Sequence, residues 1–211
     1  MRQKHNPAQP AEDTELETEK AEERAASDRD FFDWMQTLTA VLVFVVLTFT
    51  FFFMVISVSG SSMYPTLHDG DIMLVQRIGY TPQAGDIVVL RKESFLDEAI
   101  VKRCIAVAGQ EVEIDYEENR VYIDGVALEE DYLNFTNEGL GGQYGDDYMV
   151  EKDSMVYSNF IVPEGCIFVM GDNRNGSSDS RTAELGMVDS RYVIGKVLAV
   201  FFPFDRAQLF S

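Results

Sequence analysis

The stretch "SGSSMYPTLHDGD" (residues 59–71) brings Ser59, Ser61 and Ser62 close behind the apolar run "VLVFVVLTFTFFFMVIS". A serine hydroxyl is a poor nucleophile until a base takes its proton. The only imidazoles are His5, in the tail before the apolar run, and His68. There is no G-x-S-x-G elbow, and the residue three after Ser62 is Pro65, so the S-x-x-K pairing is absent too. A Ser–Lys dyad with its lysine far away in sequence remains open. "AIVKRCIAVAG" offers that lysine. Read as a strand, it puts Ile100, Lys102, Cys104 and Ala106 on one face and Val101, Arg103, Ile105 and Val107 on the other. Lys102 then projects among apolar neighbours, or else sits at a strand end with its head in water. Burial disfavours the ammonium, and a descent of about two to three units from ~10.4 corresponds to roughly 3–4 kcal/mol.

A third stretch, "GDNRNGSSDSR", follows the strand-like "CIFVM". Such a Gly/Asp/Asn/Ser run makes a turn. It also places Asp179 two residues from Arg181 and carries hydroxyls on Ser177, Ser178 and Ser180. These groups suit holding a neutral lysine and bracing a loop with an ion pair.

The elements that must position these residues fall into three regions. Residues 1–33 are polar and acid-rich, as in "AEDTELETEKAEERAASDRD", and lack an apolar face, so a solvated, disordered tail is expected. From Trp34 to Leu67 no residue carries a formal charge. Residues 34–58 are expected to form one transmembrane helix, with Trp34 at the interface, since about 20 apolar residues span a bilayer core. A cleaved signal peptide fits poorly, because the preceding tail is long and acidic. Lys20, Arg24 and Arg29 precede the span and the next basic residue is Arg77, which favours a cytoplasmic N-terminus and an extracytoplasmic remainder.

Residues 59–211 read as β structure. "DIMLVQRI", "GDIVVLR", "AIVKRCIAVAG", "EVEIDYEENRVYIDG", "CIFVMGD" and "YVIGKVLAVFF" are short β-branched or alternating runs broken by turn residues. Residues 134–159, with "NEGLGGQYGDD", are expected to be a flexible surface insertion. The net charge of −19 and pI of about 4.3 disfavour nucleic acid as a partner. Cys104 and Cys166 are too few for a disulfide scaffold and have no zinc-ligand spacing. They either pair outside the cytoplasm or serve as small buried hydrophobes. No metal or cofactor is expected.

Taken in order after an N-terminal anchor, "SSMYPTL", "VKRCIAVAG" and "GDNRNGSSDSR" resemble the bacterial type I signal peptidases, membrane-bound Ser-Lys endopeptidases that remove signal peptides. The resemblance runs from the anchor to about residue 200. It implies a mainly β fold of coiled antiparallel sheets whose groove accepts an extended peptide. It implies Ser62 as nucleophile, Lys102 as general base, Ser177 orienting Lys102, Asp179 and Arg181 as a bracing pair, and Arg103 beside the base. Histidine stands at the lysine position in eukaryotic-type relatives, so Lys102 points to the bacterial branch. The oxyanion hole falls to the Ser62 backbone N–H and the Gly60 region, since some members carry a hydroxyl where this chain has Gly60. Met63, Tyr64 and Pro65 are groove candidates, and Met63, Tyr64 and Ile72 are candidates for resting on lipid. "AVAGQ" replaces the family's usual "GLPGD", and "ELGMV" its aromatic-containing stretch.

The implied partners are signal peptides of secreted preproteins, the lipid bilayer and the protein-export machinery. Ser62 lies six residues past Ile56, a reach of at most roughly 20 Å. A signal peptide's cleavage site emerges just past its own apolar segment. Two rivals stand beside this reading: a non-catalytic signal-peptidase-like assembly factor and a self-cleaving Ser-Lys regulator. The first would lack the dyad, whereas Ser62 and Lys102 are both present. The second needs a DNA-binding domain, for which the acidic tail has neither a helix-turn-helix pattern nor a basic face.

Overall fold

The computed structural model describes residues 9–92, 98–115, 120–133, 159–174 and 176–210, with side chains from residue 27 onward. The chain divides into two compact units, residues 1–50 and 51–211.

The first unit is the helix α1, whose full extent is Gln9–Phe52. The expected disordered tail is therefore helical from Gln9, and residues 1–8 lie outside the described ones. Its alanine, glutamate, lysine and arginine content accounts for this, because these are strong helix formers. Ser27–Phe52 is long and apolar enough to cross a membrane, with an 18-residue stretch of mean hydropathy 2.0. Its side chains are exposed on every side, Phe32, Leu42, Phe44 and Phe51 among them. Thr37, Thr39, Thr48 and Thr50 donate their hydroxyls to the carbonyls four residues back. That satisfies these polar groups inside the helix, as a hydrocarbon environment demands.

The expected span of residues 34–58 is too long at its C-terminal end. Phe53–Ser57 leave the helix and form strand β1, paired antiparallel with β2 (Ile72–Gln76). Met54 and Ile56 pack against buried core residues of the second unit, a contact that helical continuation would forfeit.

The other strands are β3 (Ile87–Leu90), β4 (Ile100–Val107), β5 (Glu111–Asp115), β6 (Arg120–Ile123), β7 (Val126–Ala127) and β8 (Asn159–Ile161). β9 (Cys166–Met170), β10 (Val188–Asp189), β11 (Val193–Phe202) and β12 (Gln208–Leu209) complete the set. Every pairing is antiparallel. The large sheet runs β1-β2-β11-β3-β4-β9-β10, with β12 beside β11, and the small one runs β7-β6-β5-β8. Each of the expected strand runs forms a strand. The "EVEIDYEENRVYIDG" run becomes the β5–β6 pair. The expected insertion at 134–159 lies outside the described residues except for Asn159, which opens β8.

Side-chain alternation sorts the core. β3 is buried on both faces: Ile87 and Val89 face Met63, Leu67, Met73 and Val75, while Val88 and Leu90 face Cys104, Val169 and Leu185. Burial on both faces explains why "IVVL" is apolar throughout. The expected alternation in β4 holds as far as Cys104. The pairing with β9 then shifts register between Cys104 and Ala106. Ala106 consequently packs with Ile105, Val112 and Phe168 under the small sheet, not with Cys104. Cys104 and Cys166 are both free thiols; Cys166 stands opposite Asp189. Burial, with Asp86 nearby, pushes the Cys104 thiol up to about 12, so it behaves as a small hydrophobe.

Candidate active site

The loop from Val58 to Asp71 is closed at its base, where Val58 N–H donates to Asp71 C=O at 2.8 Å and Gly70 N–H to Val58 C=O at 3.0 Å. Gly60 sits at φ +88°, a conformation that side chains rarely adopt. Its N–H donates to Asp69 Oδ1 at 2.8 Å. Beyond it the chain turns tightly, with Tyr64 N–H donating to Ser61 C=O and Leu67 N–H to Met63 C=O. Met63 and Leu67 are buried and anchor the turn in the core. Ser62, just before Met63, stays partly exposed.

Lys102 projects from β4, where it stands opposite Val88 of β3. Only 3% of it is exposed. Its Nζ lies 2.8 Å from Ser62 Oγ and donates to Val101 C=O at 3.0 Å. Burial pulls the amine down from 10.5 to about 8; Asp179 and Asp172 oppose the shift, and Arg181 reinforces it. The predicted nucleophile and base are thus brought into hydrogen-bond contact across 40 residues.

The "GDNRNGSSDSR" segment supports both groups. Asp179 and Arg181 form a buried bidentate pair with both bonds at 2.8 Å, and Gly171 N–H donates to Asp179 Oδ2 at 3.0 Å. Burial alone would raise the Asp179 carboxyl, but the Arg181 pair and the Gly171 N–H outweigh it and hold the group below its usual range. Arg181 also donates to Arg174 C=O at 2.6 Å, fixing the loop's curvature. Arg103, beside the base, grips Asp172 with two bonds of 2.9 and 2.7 Å, and its guanidinium lies 3.8 Å over the Tyr132 ring.

Several site expectations need correction. The bond from Ser177 to Lys102 is not made: the Ser177 hydroxyl is buried without a hydrogen-bond partner among the described residues. It is wedged against Gly171 instead, where an added Cβ would meet Ser177 Oγ at 2.3 Å and Ser62 C=O at 2.4 Å. The Gly60 N–H is taken up by Asp69, so Gly60 shapes the turn and offers no oxyanion donor. The Ser62 N–H has no partner among the described residues. Met63 is a core residue and lines no groove, nor can it rest on lipid. Pro65 lines a cleft of about 200 Å³ with Thr66, His68, Asp71, Arg206 and Gln208, which includes neither Ser62 nor Lys102. Tyr64 packs edge-on against His68, with ring centroids 5.0 Å apart. His68 faces Tyr64 and Asp71, not Ser62.

Four supporting residues escaped the sequence reading. Asn173 N–H donates to Ser62 C=O at 3.0 Å, and its side-chain amide donates to Ser61 C=O at 3.1 Å. Asp172 accepts the Thr66 hydroxyl as well as Arg103. Glu130 pairs with the buried Arg174. Asp172, Asn173 and Arg174 lie inside the quoted motif, so their presence was visible while their partners, more than 40 residues away, were not.

Comparison with known proteins decides the family. The model of the signal peptidase, peptidase S26, family matches residues 31–202. The chain belongs to this family. The signal peptidase I of Bacillus licheniformis is 34% identical over 194 residues, 89% of this chain and 97% of that protein. The signal peptidase IB of Staphylococcus aureus (strain N315) is 32% identical over 184 residues, covering 84% of this chain and 93% of its own. A signal peptidase I crystal structure from Enterococcus faecalis V583 is 32% identical, covers 56% of this chain and 97% of that one, and gives a TM-score of 0.41. Membership of the signal peptidase family makes the chain a serine endopeptidase whose substrates are exported preproteins carrying signal peptides.

Proposed function

We propose that Ser62 and Lys102 are the reacting pair of this peptidase. The observation that carries the reading is the 2.8 Å contact between Ser62 Oγ and the Nζ of a lysine that is 3% exposed. Neutral Lys102 takes the Ser62 proton as Oγ attacks the scissile carbonyl carbon. The free Ser62 N–H donates to the oxygen on which charge develops. The Lys102 ammonium then passes its proton to the departing amine, and an acyl ester on Ser62 remains. Water gives a proton to Lys102 as it attacks that ester, and the ester's collapse returns the proton to Ser62. Asp179 and Arg181 brace the loop behind the pair, and Arg103 with Asp172 braces the strand that carries the base. The cut follows small residues. The basic residues Lys20, Arg24 and Arg29 support a cytoplasmic N-terminus, with the β unit and its site on the opposite face of the membrane.

Incubation of the purified full chain with a preprotein tests the reading. N-terminal sequencing should find cleavage after a small residue, and Ser62→Ala should abolish it. A folded Ser62→Ala protein that still processes the preprotein would remove the nucleophile assignment. Protease added to sealed spheroplasts tests the topology, which fails if residues after Gly60 are protected.

A further inference from the structure

The family match ends at residue 202, and beyond it the chain turns back onto the loop that carries Ser62. Phe204–Arg206 make a single 3₁₀ turn, and Gln208–Leu209 (β12) pair with Ala199 and Val200 of β11. From this segment Arg206 Nε and Nη2 donate to Asp71 Oδ1 at 3.1 and 2.7 Å. Gln208 Nε2 donates to Thr66 C=O at 2.9 Å, and Phe210 packs against the cluster that holds Met63 and Leu67. The Arg206 and Gln208 side-chain bonds both fall on the loop between Val58 and Asp71.

Asp71 is the loop's closing residue. It is 1% exposed, its second carboxylate oxygen accepts the His68 N–H at 2.8 Å, and its carbonyl accepts the Val58 N–H. Arg206 supplies the guanidinium that keeps this buried carboxylate paired. Thr66 is held at two points, its carbonyl by Gln208 and its hydroxyl by Asp172. Asp172 is gripped in turn by Arg103, the neighbour of Lys102.

We infer that Arg206 and Gln208 are positioning residues for the reaction, holding the loop where Ser62 Oγ lies within hydrogen-bond reach of Lys102 Nζ. They touch neither reacting atom. Their effect follows from the sensitivity of the chemistry to placement: a displacement of about 1 Å costs on the order of a hundredfold in rate. Loosening the loop also admits water to Lys102, which restores part of the ammonium's solvation. Asp172, Asp179 and Arg181 act on Lys102 as well, and substitution at residue 206 or 208 removes none of them. The inference rests on Ser62 and Lys102 being the reacting pair.

The test compares Arg206→Ala, Arg206→Lys and Gln208→Ala in the full chain, using a signal-sequence peptide as substrate. Arg206→Ala should lower kcat about tenfold or more with KM within about twofold, and should move the acid limb of the pH profile upward. Arg206→Lys should restore most of kcat, because an ammonium still pairs with Asp71. Gln208→Ala should cost several-fold. Wild-type kcat and pH profile in folded Arg206→Ala would overturn the inference. So would a loss that only tracks a smaller folded fraction with the acid limb unmoved. If Arg206→Ala does not fold, Gln208→Ala decides, and wild-type kcat and pH profile in that variant overturn the inference. Ser62→Ala run alongside separates the two claims, since an active Ser62→Ala defeats the underlying reading, whereas a dead Ser62→Ala beside Arg206→Ala and Gln208→Ala proteins of wild-type kinetics defeats only this one.

Discussion

Lys102 is the residue on which fold and chemistry pull against each other. Burial brings its amine down to about 8, and the same burial destabilises the folded state whenever the lysine is charged. Its folded pKa lies below its unfolded value of 10.5, so the unfolded chain binds more protons between about 8 and 10.5. Stability therefore rises with pH through that window, and below it the full cost is present. From the shift between 10.5 and about 8, the cost is ~3 kcal/mol, so Lys102→Met should abolish turnover and stabilise the protein by up to that amount at pH 7 in chemical denaturation. A destabilised Lys102→Met would show that the lysine's contacts outweigh its desolvation. Catalysis shows the same ionisation from the other side. Only the neutral amine can accept the Ser62 proton, so kcat/KM should climb through an ionisation near 8 as pH rises, an acid limb that a histidine base would put near 6.5. Alternation in "AIVKRCIAVAG" left Lys102 either among apolar neighbours or at a strand end, and its pairing with Ser62 came from the family resemblance, because local pattern carries no trace of a contact between residues 40 apart.

At the scale of elements, the site is a junction of three chain segments: the Val58–Asp71 loop, β4, and the turn that follows β9. The last two were foreseen as elements, and the resemblance implied the Ser62–Lys102 and Asp179–Arg181 pairings; the backbone contacts among the segments were not foreseen. Asn173 and Gly171 show why. Each bonds to or packs against Ser62 C=O, a backbone atom that leaves no trace in side-chain patterning. Gly171 is the more sensitive of the two, since an added Cβ would lie 2.4 Å from that carbonyl oxygen and 2.5 Å from Ser177 Cβ. Gly171→Ala should push the nucleophile turn away from Lys102 and lower kcat by on the order of a hundredfold, while circular dichroism retains the β signal. Unchanged kcat would mean the loop absorbs the clash. Met63 was misjudged for a related reason: adjacency to Ser62 suggested a surface role, yet the turn directs its side chain into the core.

At the scale of the whole molecule, the apolar composition runs without a break from the helix into β1, and this hid the boundary. "FMVIS" reads equally well as the end of a membrane span, and only its pairing with β2, distant in sequence, makes it a strand. The division into residues 1–50 and 51–211 has a direct consequence for truncation. A chain beginning at Phe51 should fold and cleave soluble peptides, whereas one beginning at Val58 loses all of β1 and the packing of Met54 and Ile56. The shorter chain should melt several degrees lower in thermal unfolding, and equal melting temperatures would show that β1 adds nothing to the second unit. The central claim, that a buried lysine and not an imidazole activates Ser62, is tested most directly by preprotein turnover with folded Lys102→Ala and His68→Ala proteins side by side. Lys102→Ala should be inactive, and His68→Ala should keep most of its activity, since His68 faces Tyr64 and Asp71. An active Lys102→Ala beside an inactive His68→Ala would contradict the account.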